Sequence, residues 1–298
     1  MPIGQSRTIV SAIKYGVFLP LTGELAEPSH AVGIAREAEG AGWDGLFVSD
    51  LVESVDGGAT ESDAFITLAA ITSVATRLQL GVVTPAADRR RPWVLARQSA
   101  VIDHLSHGRL IFGTGVGHAN WYEGLAFPER AARETEEDTR TSLFEESLAV
   151  LLLCWSGEPV RHEGKWMQVD SPPFLPTPLQ RPRIPVWVTA EWPRSTPLRR
   201  AARLDGILPV FTEQRDARVP PDTEDVWAIR EELRRLAAPM HHDLALRGVL
   251  GPHWTEDAVG HLGALEKAGA TWWFETVEPD EAASSVLERV IAGPPKGH

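Results

Sequence analysis

The chain has 298 residues, 43% of them hydrophobic and 23% charged, proportions typical of a globular protein with a sizeable core. Its formal net charge of −12 disfavours nucleic acid or an anionic membrane surface as the main partner. A single cysteine, Cys154, excludes a disulfide framework within the chain, and no apolar run approaches the ~20 residues of a membrane span, so we expect a cytoplasmic protein.

Short apolar segments alternate with amphipathic ones after a leader, residues 1–14, that we expect to be flexible. The apolar segments predict eight buried strands, at residues 15–19, 46–49, 78–84, 110–112, 184–189, 206–210, 243–250 and 270–274. The spacing of apolar residues predicts helices near 31–42, 63–76, 93–105, 134–155, 198–204, 226–236, 258–269 and 282–291. Asp63 is placed to cap the second helix.

Eight strand–helix units in a chain of this length predict an α/β fold, a closed (β/α)8 TIM barrel rather than an open sheet. A long insertion separates the fourth and fifth strands; it contains a helix, a predicted hairpin around Gly164 and a proline-rich excursion at 172–185. No linker divides the chain, so we expect residues 15–298 to form one domain.

Three glycines, Gly113, Gly115 and Gly117, follow the fourth strand at every second position and precede His118. Two interpretations remain open: a tight turn in a packed α/β unit, or a loop where a flat or charged group approaches the backbone. The spacing does not match the G-x-G-x-x-G dinucleotide fingerprint, which leads directly into a helix. Upstream, one face of the third helix carries Val94, Gln98, Val101, Ile102 and Leu105.

Active sites of such barrels lie at the carboxyl ends of the strands. The residues expected there include His118 and two carboxylates, Asp50 and Glu275. A strand-end carboxylate can instead accept hydrogen bonds from loop N–H groups, and a rim glutamate can simply be solvated. Aromatic residues expected near the same edge are Trp121, Tyr122, Trp192 and Phe211.

Other site chemistries have little support. The ten histidines show no metal-ligand spacing, so we expect no metal. No G-x-S-x-G elbow is present and Cys154 lies within a helical pattern, so a hydrolase nucleophile is not evident. Arg89, Arg90 and Arg91 follow the third strand, either as a solvated loop or as a site for a phosphate or carboxylate group.

Seven segments together carry a resemblance to a known family. They are residues 38–50 (AEGAGWDGLFVSD), 80–85 (LGVVTP), 91–98 (RPWVLARQ), 103–117 (DHLSHGRLIFGTGVG), 184–188 (IPVWV), 200–206 (RAARLDG) and 268–273 (AGATWW). In this joint order, over about residues 15–292, the chain resembles the bacterial luciferase-like (LLM class) flavin- and deazaflavin-dependent oxidoreductases.

The resemblance implies a TIM barrel with reduced FMN or an 8-hydroxy-5-deazaflavin coenzyme lying across its mouth. The implied cofactor contacts are Val82, Val83, Thr84, Gly115, Gly117, Thr189, Ala190, Glu191, Trp192 and Pro209. Residues 80–85 would run under the ring, 189–192 would lie near the phosphate, and Pro209 and Val210 would lie next to the tail. His118, as proton donor, and Asp50, as an orienting group, would be catalytic. Trp121, Tyr122, Phe211 and Glu275 would contact the substrate.

We therefore predict a luciferase-like monooxygenase or oxidoreductase acting on a small, largely apolar organic substrate, by oxygenation with reduced FMN and O2 or by hydride transfer with the deazaflavin. One alternative is a flavin-binding barrel without turnover, because Leu51 and Glu191 stand where the family often has other residues. A second is a barrel enzyme acting on a phosphorylated substrate, motivated by the three arginines. We expect a homodimer.

Overall fold

Eight parallel strands close into a barrel in the computed structural model, which describes residues 13–51, 59–83, 90–116, 137–211, 220–250 and 254–295. Around the barrel the parallel strands follow one another in chain order, and the last pairs with the first. The bounds are β1 Lys14–Leu19, β2 Gly45–Ser49, β3 Gln79–Val83, β4 Leu110–Thr114, β7 Val186–Trp192, β8 Gly206–Phe211, β9 Asp243–Gly248 and β10 Trp272–Thr276. The predicted TIM barrel is therefore confirmed.

Helices cover the outside of the barrel. Their bounds are α1 Pro28–Ala41, α2 Ala64–Ile71, α3 Pro92–Leu105, α4 Glu137–Trp155, α5 Ser195–Ala201, α6 Thr223–Arg235, α7 Glu256–Ala268 and α8 Ala283–Ala292. Asp63 caps α2 as predicted, because its carboxylate accepts hydrogen bonds from the N–H groups of Phe65 and Ile66, both at 2.9 Å. Within the described ranges, no helix has the length and hydropathy needed to cross a bilayer.

The insertion between the fourth and fifth barrel strands contains α4 and an antiparallel hairpin, as predicted. The hairpin pairs β5, Val160–Glu163, with β6, Gln168–Ser171. Glu146 on α4 accepts hydrogen bonds from the N–H groups of Trp166 and Met167, so the helix fixes the hairpin turn. Within the described part of the insertion, the helix and the hairpin are thus joined to each other.

Aromatic side chains fill the barrel interior. Phe47 stacks on Trp187 with ring centroids 5.3 Å apart and meets Phe274 edge-on at 4.5 Å. Glycines make room for these rings: a Cβ at Gly81 would lie 2.1 Å from Phe47 Cδ1, and one at Gly206 would lie 2.4 Å from Trp187 Cδ1. The interior is therefore a packed core, and any ligand site must lie above it, at the carboxyl ends of the strands.

The helical face expected on α3 is only partly the buried one. Ile102 is buried, but Val94, Val101 and Leu105 are 41%, 42% and 48% exposed. The buried face is Pro92, Leu95, Ala96, Ser99, Ala100, Ile102 and Asp103. Two of these are polar because their hydrogen bonds are made internally: Ser99 donates to the Leu95 carbonyl, and Asp103 accepts from the N–H of Leu179 at 2.7 Å.

The predicted leader lies almost entirely outside the described residues. Lys14 is already the first residue of β1, so the barrel begins one residue before the expected domain boundary.

Candidate active site

The barrel mouth, defined here as the carboxyl ends of the eight parallel strands, is bordered by inward-facing side chains. Phe18 and Val83 belong to the interior cluster, defined here as the buried residues inside the barrel: Phe18, Phe47, Val83, Ile111, Trp187, Leu208, Ala245, Trp272 and Phe274. Because side chains alternate along a strand, Thr189, Arg247 and Thr276 also face inward, two residues after the interior residues Trp187, Ala245 and Phe274. The mouth thus combines an aromatic floor with a few polar groups.

Asp50, at the end of β2, is buried and bound by an arginine. Arg90 makes a bidentate ion pair with the Asp50 carboxylate, in which Nη2 lies 3.0 Å from Oδ1. The same Nη2 also lies 3.3 Å from Asp63 Oδ2. Burial opposes the charge of Arg90, but the hydrogen bond and charge of Asp50 raise the pKa of the guanidinium above its ordinary value. Arg90 therefore joins the β2 end, at Asp50, to the start of α2, at Asp63.

The arginines that follow the third strand make different contacts. Arg90 is occupied by Asp50 and Asp63, and its guanidinium lies 5.2 Å from the Phe65 ring centroid. Arg91 is the residue before α3 and lies over Trp93. Arg89 is outside the described residues. Arg90 therefore serves the fold, which weakens the interpretation of the run as a phosphate site.

The β3 and β4 ends approach each other closely. A Cβ at Gly113 would lie 2.6 Å from the Val82 carbonyl oxygen, so this glycine is required by the strand pair itself. A Cβ at Gly115 would lie 3.2 Å from Thr189 Cβ, so Gly115 and Thr189 are brought side by side. Val83 faces the mouth. Val82 faces the opposite side and packs between the strands and the surrounding helices, a region called the outer layer below.

Glu191, predicted near the cofactor phosphate, forms an ion pair with Arg194. Its carboxylate lies 3.0 Å from Arg194 Nε, and the Arg194 N–H donates to the Glu191 carbonyl. Ala190 is buried in the outer layer. On the neighbouring strand Pro209 stands opposite Ala190, and Phe211 stands opposite Trp192. The four predicted residues of β7 and the two of β8 therefore lie on neighbouring strand ends, but Ala190, Trp192 and Phe211 pack against the outer layer.

Trp192 also borders an open cleft of about 620 Å³ between α5 and α6. Its other lining residues include Leu198, Trp227, Arg234 and Arg235. Both arginines are paired with glutamates of their own helix, Arg234 with Glu231 and Arg235 with Glu232. The cleft adjoins the β7 end from outside the barrel.

Glu275 does not reach the mouth, in contrast to the expected substrate contact. Its side chain is 2% exposed and faces the helix layer, where it accepts a hydrogen bond from the Leu250 N–H at 3.3 Å and lies 3.8 Å from Arg289 Nη1. Strand alternation explains the difference, because Phe274 and Thr276 take the inward positions.

Thr84, Gly117, His118, Trp121 and Tyr122 lie outside the described residues. Within the described part of the chain, no group of three or more histidine, cysteine, aspartate or glutamate residues is arranged to hold a metal ion.

Sequence reasoning missed two inward-facing residues, Arg247 and Thr276. The signal was present: Arg247 interrupts the apolar segment 243–250 two residues after Ala245, a position that must face the same side. A charged residue at the mouth end of a buried strand is a candidate for ligand contact.

Comparison with known proteins places the chain in a family. Residues 12–231 match the family model of the luciferase-like monooxygenases. A putative coenzyme F420-dependent oxidoreductase of Mycobacterium tuberculosis is 31% identical over 237 residues, covering 76% of this chain and 63% of that protein. An F420-dependent glucose-6-phosphate dehydrogenase of Nakamurella multipartita is 30% identical over 188 residues, covering 61% of this chain and 52% of that protein. The matched segments thus span between half and two thirds of these relatives.

Among solved structures, the F420-dependent tetrahydromethanopterin reductase of Methanopyrus kandleri superposes with a TM-score of 0.71 at 14% identity, covering 95% of this chain and 99% of that one. At this identity the likeness concerns the fold. Together with the match over residues 12–231, the barrel and its glycine-edged mouth identify the chain as a member of the luciferase-like monooxygenase family.

Proposed function

We propose that the protein is a flavin- or deazaflavin-dependent oxidoreductase that acts on a small, largely apolar organic substrate at the barrel mouth. The observation that carries the proposal is the small-residue border formed by Val83, Gly115 and Thr189, where a Cβ at Gly115 would already meet Thr189. A flat ring can lie against such a border because no large side chain stands in its way. The F420-dependent relatives support the deazaflavin coenzyme, and reduced FMN is the alternative cofactor.

The residues of the chain would bind and orient, while the bound cofactor supplies the redox chemistry. Val83, Gly115 and Thr189 would border the ring, and the sector with Glu191 and Pro209 would lie toward the phosphate and tail. Asp50 is a positioning residue in this proposal, since Arg90 holds it and it fixes the β2 end. His118 keeps its predicted role as proton donor, and Trp121, Tyr122 and Phe211 theirs as substrate contacts.

Titration of the purified protein with coenzyme F420 and with FMN, followed by absorbance and fluorescence, tests this function. We expect at least one to bind with a Kd in the micromolar range or below. Gly115→Ala should weaken that binding about tenfold, because the added methyl group narrows the ring's border. Gly260→Ala is the matched control, since nothing lies within 4 Å of a Cβ there. Failure of both cofactors to bind below the millimolar range contradicts the proposal.

We also propose that the protein is a homodimer, forms one domain and is located in the cytoplasm. A homodimer is supported by exposed apolar side chains on two neighbouring helices, Ile66 on α2 and Val94, Val101 and Leu105 on α3. One domain over residues 15–298 is supported by the closure of the barrel between β1 and β10. A cytoplasmic location is supported by the single cysteine, Cys154, which is buried and free.

A further inference from the structure

Arg247 places a cation at the barrel mouth. It stands on β9 opposite Phe274 of β10, and its guanidinium carbon lies 5.3 Å from the Phe18 ring centroid. Phe18 and Phe274 both belong to the interior cluster, so the guanidinium rests on the aromatic floor. A cation over an aromatic face is attracted by the ring but retains all its N–H donors.

The Arg247 guanidinium has no hydrogen-bonding partner or ion pair among the residues that the structure describes. Burial lowers its pKa below the ordinary arginine value, and the charge of Glu278 opposes this without coming within the 4.0 Å of an ion pair. An arginine nevertheless stays protonated in proteins. Among other partly buried arginines, Arg90, Arg183, Arg200 and Arg289 each have a carboxylate partner, whereas Arg109 and Arg230 donate to backbone carbonyls.

Thr276 supplies a second polar group beside this cation. Its hydroxyl oxygen is buried and has no hydrogen-bonding partner within the described ranges. Thr276 stands opposite Phe18 on β1, while Arg247 stands opposite Phe274, so the two polar residues are diagonal neighbours across β9 and β10. A hydroxyl and a guanidinium, both on the inward face and both short of partners, match one acceptor oxygen or oxygen pair.

We propose that Arg247 and Thr276 bind a carboxylate group of the organic substrate. The site favours such a group because a partly desolvated guanidinium gains most from a charged or strongly polar acceptor. The substrate body is apolar, since the cation lies over Phe18 and beside Phe274, and both belong to the apolar interior cluster, as Val83 does. The substrate class is therefore an apolar carboxylic acid rather than a hydrocarbon or a neutral ketone, an inference that rests on the proposed oxidoreductase function.

Calorimetric titration with benzoate and with its neutral analogue benzamide tests the site directly, without turnover. We expect the wild-type protein to bind benzoate at least about tenfold more tightly than benzamide. Arg247→Met keeps the packing on Phe18 and should abolish this preference, whereas Arg36→Met, on the exposed surface of α1, should leave it intact. Equal binding of the two probes by the wild type, or an unchanged preference in Arg247→Met, overturns the proposal.

Two further variants keep the test decisive if Arg247→Met does not fold. Arg247→Lys retains the charge without the planar guanidinium group and should keep part of the benzoate preference. Thr276→Val removes only the hydroxyl and should weaken benzoate binding about threefold or more. No loss in either variant overturns the proposal.

Each protein is also titrated with coenzyme F420 and FMN. If Arg247→Met loses cofactor affinity as strongly as benzoate affinity, the acceptor belongs to the cofactor and the substrate assignment fails. If neither cofactor binds the wild type while benzoate binding depends on Arg247, the anion site stands and the oxidoreductase proposal fails.

Discussion

The Glu39 carboxylate joins α1 to the start of β3 through four hydrogen-bond donors. The N–H groups of Thr76, Arg77 and Leu78 and the Thr76 hydroxyl all donate to it, at 2.7–3.1 Å. Burial opposes ionisation of Glu39, but these hydrogen bonds prevail and lower its pKa to about 2. A single residue therefore stabilises the connection that brings the chain into the third barrel strand.

The pKa of Glu39 gives a pH dependence of stability. A lowered folded-state pKa means that the stabilisation is present above the ordinary value of 4.5 and is lost as pH falls toward about 2. Glu39→Gln should lower the free energy of unfolding by about 1 kcal/mol at pH 7 and should reduce the loss between pH 4.5 and 2. Urea unfolding at several pH values measures both effects. Parallel pH profiles for the variant and the wild type would contradict this role.

At the scale of the element, α2 and α3 present apolar side chains to the outside. Ile66 is 69% exposed, and Val94, Val101 and Leu105 lie on the exposed face of α3. Exposed apolar side chains do not stabilise a monomer, whereas a two-fold dimer interface would bury this row on both subunits.

Charges introduced into this row should prevent self-association. We expect the wild type to have twice the 32.7 kDa chain mass in light scattering and Val101→Glu/Leu105→Glu to have the single-chain mass. Ile291→Glu is the control, since Ile291 is 53% exposed on α8, away from the row. A wild type that is monomeric at micromolar concentration, or a variant that remains dimeric, argues against this interface.

At the scale of the whole molecule, the barrel closes around aromatic rings such as Phe47. These rings fit inside because glycines occupy the facing strand positions, as Gly81 does. Gly81→Ala would place a methyl carbon 2.1 Å from Phe47, and that ring is held by Trp187, Trp272 and Phe274. We expect a loss of about 1–3 kcal/mol in the free energy of unfolding, measured by urea denaturation. Gly260→Ala, in open space on α7, should be neutral or stabilising by up to about 1 kcal/mol. Equal stability of the two variants would mean that the interior repacks freely.

Strand and helix periodicity predicted the barrel and its insertion, because each buried strand is an apolar run bounded by turn residues. The exposed face of α3 was harder to predict. Ser99 is buried with a hydrogen bond to the Leu95 carbonyl of its own helix, and Asp103 is buried with one from the N–H of Leu179, 76 positions away. Apolar spacing cannot anticipate where a buried polar residue finds its partner.

The site was predictable as a place but not residue by residue. The strand ends gave Asp50, Gly115 and Thr189, and the structure brings Gly115 next to Thr189 although 74 positions separate them. Arg90 was predicted either in a solvated loop or at a site for a phosphate or carboxylate group, and in the structure the carboxylates of Asp50 and Asp63 hold it. Glu275 was assigned to the rim, yet Arg289 and the Leu250 N–H hold it in the outer layer.

The sequence by itself determined the alternation of elements, the closed barrel and the family, because these depend on local periodicity and on segments read in order. Only the tertiary structure decided which charged side chains are used up within the fold and which face the mouth without a partner in the described ranges. Pairing and burial depend on contacts between strands far apart in the chain, as between Arg247 and Phe18, and no local pattern specifies them.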